Sequence, residues 1–109
     1  MQYFFNQTEP PRRDLAPGIS ARIFWGAKVM MSLVEISPKS TMPAHAHPSE
    51  QAGMVIQGEF DFTIGGQTKR LTQGDVYVIP GGVEHGLVAT DGYSLALDIF
   101  SPPREEYKP

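Results

Sequence analysis

The stretch HAHPSEQAGMVIQG, residues 45–58, decides how this 109-residue chain is read. His45 and His47 stand one residue apart, so on an extended backbone both imidazoles project from the same face. Gln51 keeps their parity where the apolar run AGMVIQ (52–57) begins. After Gly58, EFDFTI (59–64) alternates Phe60, Phe62 and Ile64 with polar residues, which is the pattern of a half-buried strand. Gly65-Gly66 can then supply the positive φ angles of a two-residue hairpin, with QTKRL as the returning strand.

Working outward, the same vocabulary continues in both directions. ISARIFW (19–25), KVMMSLVEI (28–36), VYVI (76–79), VEHGLVA (83–89) and YSLALDIF (93–100) are short runs rich in Val, Ile, Phe and Tyr. Turn residues punctuate them, including QGD, Pro80 with Gly81-Gly82, and TDG at 90–92. Many short strands at spacings of roughly 8–12 residues predict an all-β sandwich or barrel. No segment has the length and spacing of an amphipathic helix; the one candidate, 1–14, is broken by Pro10-Pro11. The expected organisation is a single domain, with a core at about 19–100, an N-terminal arm 1–18 and a C-terminal tail 101–109. Runs 28–36 and 93–100 are apolar on both faces, which fits either a broad barrel core or a subunit interface, and a homodimer is expected.

Composition narrows the function classes. Hydrophobic residues make up 40% and charged residues 19%, a globular balance. A net charge of −3 with no Lys/Arg-rich block argues against nucleic-acid binding. The longest apolar runs are too short to span a bilayer, and the first residues lack a basic start followed by an apolar segment. Without cysteine there is neither disulfide framework nor thiolate chemistry. A cytoplasmic protein is expected.

The third histidine, His85, follows PGGVE, where another strand resumes. A lone histidine is more often a surface or hydrogen-bonded residue than a ligand. Here two share a face and all three sit at the start of a strand-like run, which reverses that preference. Neutral imidazole is a common ligand for first-row transition metals.

The two stretches HAHPSEQAGMVIQG and GDVYVIPGGVEH resemble the paired motifs of the cupins. His45, His47 and Gly58 match the first motif; Gly74, Pro80 and His85 match the second. Lys39 stands where the first motif opens with glycine, and Ala89 where the second closes with asparagine. The resemblance implies a double-stranded β-helix, the jelly-roll barrel, holding one divalent transition-metal ion (Ni, Zn, Mn or Fe). His45, His47 and His85 would be three ligands. For the fourth, Glu50 is the better anion, but Gln51 keeps the histidines' parity and the motif's distance from Gly58. Glu50 would need a local bulge to face the same way. Three imidazoles and an amide leave the ion its full formal charge, which suits Lewis-acid work on an oxygen-rich anion. Drift in a protein that merely binds metal is the competing explanation of the amide.

The tail LDIFSPPREEY (97–107) carries the resemblance further, to small stand-alone cupins of the pectin-degradation KdgF type. These open the ring of 4,5-unsaturated uronate monosaccharides to linear keto-uronates. Asp98, Phe100 and Arg104 match the family's D-x-F-x3-R arrangement around the substrate. The resemblance makes Asp98 a general acid/base, Phe100 a substrate contact and Arg104 a clamp on the carboxylate of a small anionic sugar. Read from the residues alone, Asp98 fits an outward salt bridge equally well, Arg104 a solvated tail charge and Phe100 core packing. Trp25, Tyr77 and Tyr93 read as core or interface. Two rival functions remain: a cupin oxygenase acting on an aromatic or thiol substrate, and a non-catalytic sugar- or metal-binding cupin.

Overall fold

A computed structural model describes residues 2–109. Ten strands follow in chain order: β1 (Arg13–Ala16), β2 (Ile19–Trp25), β3 (Met30–Ile36), β4 (Thr41–His45), β5 (Glu50–Gln57), β6 (Glu59–Ile64), β7 (Gln67–Thr72), β8 (Val76–Ile79), β9 (His85–Ala89) and β10 (Ser94–Ser101). A single 3-10 turn, Glu105–Tyr107, follows in the tail. No helix among the described residues is long and apolar enough to cross a membrane.

The strands form two antiparallel sheets, β1-β2-β3-β10-β5-β8 and β4-β9-β6-β7, which pack face to face as a jelly roll. Period-two alternation drives this. Ile19, Ala21 and Ile23 of β2, Met30, Val34 and Ile36 of β3, and Phe60 and Phe62 of β6 all turn into one core. Gly65 and Gly66 both take positive φ in the β6–β7 hairpin, as their pairing predicts.

Two of the ten strands lie outside the sequence reading. β1 belongs to the N-terminal arm and pairs with β2. β4 contains Pro43 and carries a register shift between Met42 and His45; as an edge strand it tolerates the missing N–H. Lys39 takes φ 63. The backbone thus keeps the left-handed turn that the motif's glycine would serve, with a lysine bearing its steric cost.

Registry across the larger sheet sets up the site. On its inner face Ser32, Asp98, Gly53 and Tyr77 form one row across β3, β10, β5 and β8. The next row toward the rim is Met30, Phe100, Gln51 and Ile79. On the outer face, Leu33, Leu97, Met54 and Val76 form an apolar row, and Met31, Ile99, Ala52 and Val78 a second.

Candidate metal centre

The three histidines meet at one end of the sandwich. His45 ends β4 and stands opposite His85 at the start of β9. His47 lies in the β4–β5 connection rather than at a strand start. Their ring centroids are 4.4 Å (His45–His85), 4.9 Å (His47–His85) and 5.9 Å (His45–His47) apart. One ligand atom from each lies within 4.8 Å of the others.

The tautomers follow from the backbone. In each ring Nδ1 sits 2.9 Å from a carbonyl oxygen: that of Pro43 for His45, Ser49 for His47 and Val83 for His85. A carbonyl can only accept, so Nδ1 carries the hydrogen and Nε2 keeps its lone pair. This use of the second ring nitrogen is what orients histidine ligands generally.

Gln51 projects inward from β5 and is 5% exposed, whereas its neighbour Glu50 is exposed. Parity therefore assigns the inward position to the amide. Gln51 Oε1 lies 3.0 Å from His47 Nε2. With Nδ1 of His47 already the donor, two electron-pair donors face each other there, and a shared cation relieves that conflict. His85 Nε2 is buried without a hydrogen-bond partner, the second sign that the donor set fits a metal ion.

Burial keeps the His47 and His85 rings neutral. Burial holds the His85 imidazole down at about 4, and nearby His45, His47 and Arg104 add to the effect. His47 is likewise lowered, first by burial and then by the Arg104 guanidinium. Both rings therefore offer a lone pair at neutral pH, as metal binding requires.

The same cavity contains His45, Gln51, His85, Asp98, Phe100 and Arg104. It measures about 40 Å³, room for an ion with water but not for a whole sugar ring. Asp98 is 8% exposed and accepts a hydrogen bond from the Tyr77 hydroxyl at 2.5 Å. Burial pushes its carboxyl up to about 6, while Tyr77 and the Gln51 amide draw it partly back. The outward salt bridge open to Asp98 on sequence grounds is not what the fold produces. Phe100 packs edge-on against His47 at 5.5 Å and Tyr107 at 5.8 Å.

Arg104 reaches the cavity from the tail. Its guanidinium lies 4.0 Å from the Tyr107 ring centroid and 5.5 Å from that of Phe100, and Nε donates to Glu106 Oε1 at 3.0 Å. The Arg104 side chain is only 12% exposed. Ser49 ties this tail to the His47 loop by donating from Oγ to the Pro102 carbonyl at 2.7 Å. Tyr77 and Tyr107 are the two site residues that sequence reasoning missed. Tyr77 shares the inward parity of Ile79, the one signal that could have marked it. Trp25 and Tyr93 stay well exposed and away from the cavity.

Comparison with known proteins adds an independent line. Residues 32–100 match the cupin domain family. The chain is 30% identical over 109 residues to the pectin degradation protein KdgF of Dickeya dadantii (strain 3937), covering 98% of this chain and 99% of that one. It is 35% identical over 104 residues to the H2HPP isomerase of Bacillus subtilis, covering 94% of this chain but only 43% of that protein. Among solved structures, KdgF from a Halomonas species superposes with a TM-score of 0.89 at 33% identity, covering 99% of this chain and all of that one.

Proposed function

This chain belongs to the cupin family, in its small single-domain group of the KdgF type, and we propose that it is a metal-dependent enzyme opening the ring of 4,5-unsaturated uronate monosaccharides. The observation that carries the reading is a cluster of three imidazoles beside one cavity that also holds a buried carboxyl and an arginine. The relationship to a pectin degradation protein supports the substrate class. The isomerase relative, of which this chain covers 43%, supports chemistry that leaves composition unchanged.

In this reading His45, His47, Gln51 and His85 hold a divalent ion, which when bound acts as a Lewis acid toward the sugar's oxygens. The sugar enters by one edge, since the cavity is too small for the whole ring, and Arg104 grips its carboxylate with two parallel N–H donors. Asp98 takes the proton of the C1 hydroxyl as the bond from C1 to the ring oxygen breaks. The bonding electrons stay on that oxygen, leaving an enolate across C5 and C4. A proton returned at C4 completes the linear keto-uronate, so atoms and charge balance without a co-reactant. Burial pushes the Asp98 carboxyl up toward neutrality, which suits both halves of the exchange. Ring opening is feasible unaided, so a general acid–base gain on the order of 10²–10⁴ is enough.

The test is to add purified, metal-loaded protein to the unsaturated monosaccharide and follow the ultraviolet absorbance of its C4=C5 bond. Faster loss with protein than without supports the reading. No acceleration over a range of added metals refutes it and favours a non-catalytic sugar-binding cupin.

A further inference from the structure

We propose that Tyr77 is the positioning residue for Asp98, and that Gly53 leaves the gap in β5 through which its hydroxyl reaches the carboxyl. The inference rests on the reading of Asp98 as the proton-transfer group and assigns two residues to that role's support. Asp98, Gly53 and Tyr77 stand side by side on β10, β5 and β8. Neighbouring strands lie about 4.8 Å apart, so groups on β10 and β8 are separated by a full strand. Any side chain on the middle strand would fill the space between them. A Cβ at residue 53 would collide with both Asp98 Oδ1 and the Tyr77 ring, so only glycine permits the bond. The glycine has no turn to serve, since it sits inside β5 without positive φ.

The phenol is itself held. Phe62, from the opposite sheet, meets the Tyr77 ring edge to face at 4.8 Å and 79°, and Tyr77 is buried. Its hydroxyl donates to Asp98 Oδ1 at 2.5 Å, in the range of short O–H···O⁻ bonds. With Oδ1 engaged by the phenol, the carboxyl cannot rotate freely. A misplacement of about 1 Å at a reacting group can cost on the order of 100-fold in rate, which gives such a hold its value. A phenol buried only for packing would need no acceptor aligned across a strand.

The experiment compares wild type, Tyr77→Phe, Gly53→Ala and Asp98→Asn by proton NMR and by kinetics on the unsaturated uronate. A bond this short gives a hydroxyl proton resonance far downfield of the amides. It is expected in wild type and absent from Tyr77→Phe and Gly53→Ala. Tyr77→Phe keeps the ring against Phe62, so folding and metal content should match wild type while kcat falls about 10- to 100-fold with KM nearly unchanged. Loss of the resonance with kcat unchanged would overturn the positioning role. A resonance that persists in Tyr77→Phe, or is missing from wild type, would overturn the bond itself. If wild type leaves the uronate untouched, the functional reading fails on its own. The resonance and its loss in Tyr77→Phe then still decide whether Tyr77 holds Asp98.

Discussion

Replacing Asp98 with asparagine should make the protein more stable and less active at once. Burial raises the Asp98 carboxyl from the ordinary 3.8 to about 6. A folded-state value above the unfolded one means that ionisation opposes folding. The contribution of the carboxyl to stability is fully present below pH 3.8 and is lost as pH rises through about 6. The difference of about 2 pK units corresponds to about 3 kcal/mol. Asparagine keeps the shape and can still accept the Tyr77 hydroxyl, but it has no charge to desolvate. Metal-free Asp98→Asn should therefore gain up to about 3 kcal/mol over wild type at pH 8 and nothing near pH 3.5. In a domain of this size that is on the order of 10 °C in Tm. Urea unfolding of both metal-free proteins at the two pH values measures the difference. The metal-loaded variant should turn over unsaturated uronate at least about 100-fold more slowly than wild type. Equal stability at pH 8, or the same gain at both pH values, would refute the desolvation argument. Unchanged turnover would refute the acid/base role.

The histidines predict the opposite pH trend in the metal-free protein. With His85 held down at about 4 and His47 also lowered, their contribution is present above pH 6.5 and lost as pH falls toward 4. Because Asp98 offsets this over the same window, a thermal melt series should show a steeper acid loss for Asp98→Asn than for wild type. Gln51→Glu should bind metal more tightly by calorimetry yet turn over more slowly, since the carboxylate cancels part of the ion's charge. Arg104→Ala should raise KM by about 10-fold or more with a smaller change in kcat, because it grips a group remote from the breaking bond. The two apolar rows on the outer face, among which Val76, Val78, Met31 and Met54 are well exposed, form a contiguous patch of the kind that marks association. Light scattering should find a dimer that Leu97→Arg converts to monomer; a wild-type monomer at micromolar concentration would defeat this.

The parts of the fold legible in the sequence are those where period two and burial coincide. β2 and β6 turn alternate apolar residues inward, so their patterns stand out locally. β3 and β10, in contrast, are apolar on both faces and bury Ser32, Ser94 and Asp98 among their inward residues. β4 has no such pattern: it lies at a sheet edge, holds Pro43 and shifts register before His45, so its face cannot be counted off along the chain. The candidate metal ligands are legible because they are marked by spacing along the chain. Gln51 over Glu50 is a parity argument that needs no knowledge of the neighbouring strand. The Tyr77–Asp98 bond is different in kind. It joins residues 21 apart in sequence, and it is made across β5, not along any strand. Gly53 shares the inward parity of Gln51 and Val55, and Tyr77 that of Ile79, so gap and phenol are each visible as inward-facing residues. Only the pairing of β10, β5 and β8 puts the gap between the phenol and the carboxyl. A glycine in a strand interior advertises an absence without naming what comes through it. Once registry supplies the two neighbours, the carboxyl that looked unpaired in the run LALDIF has its donor, and a tyrosine that read as packing becomes part of the site.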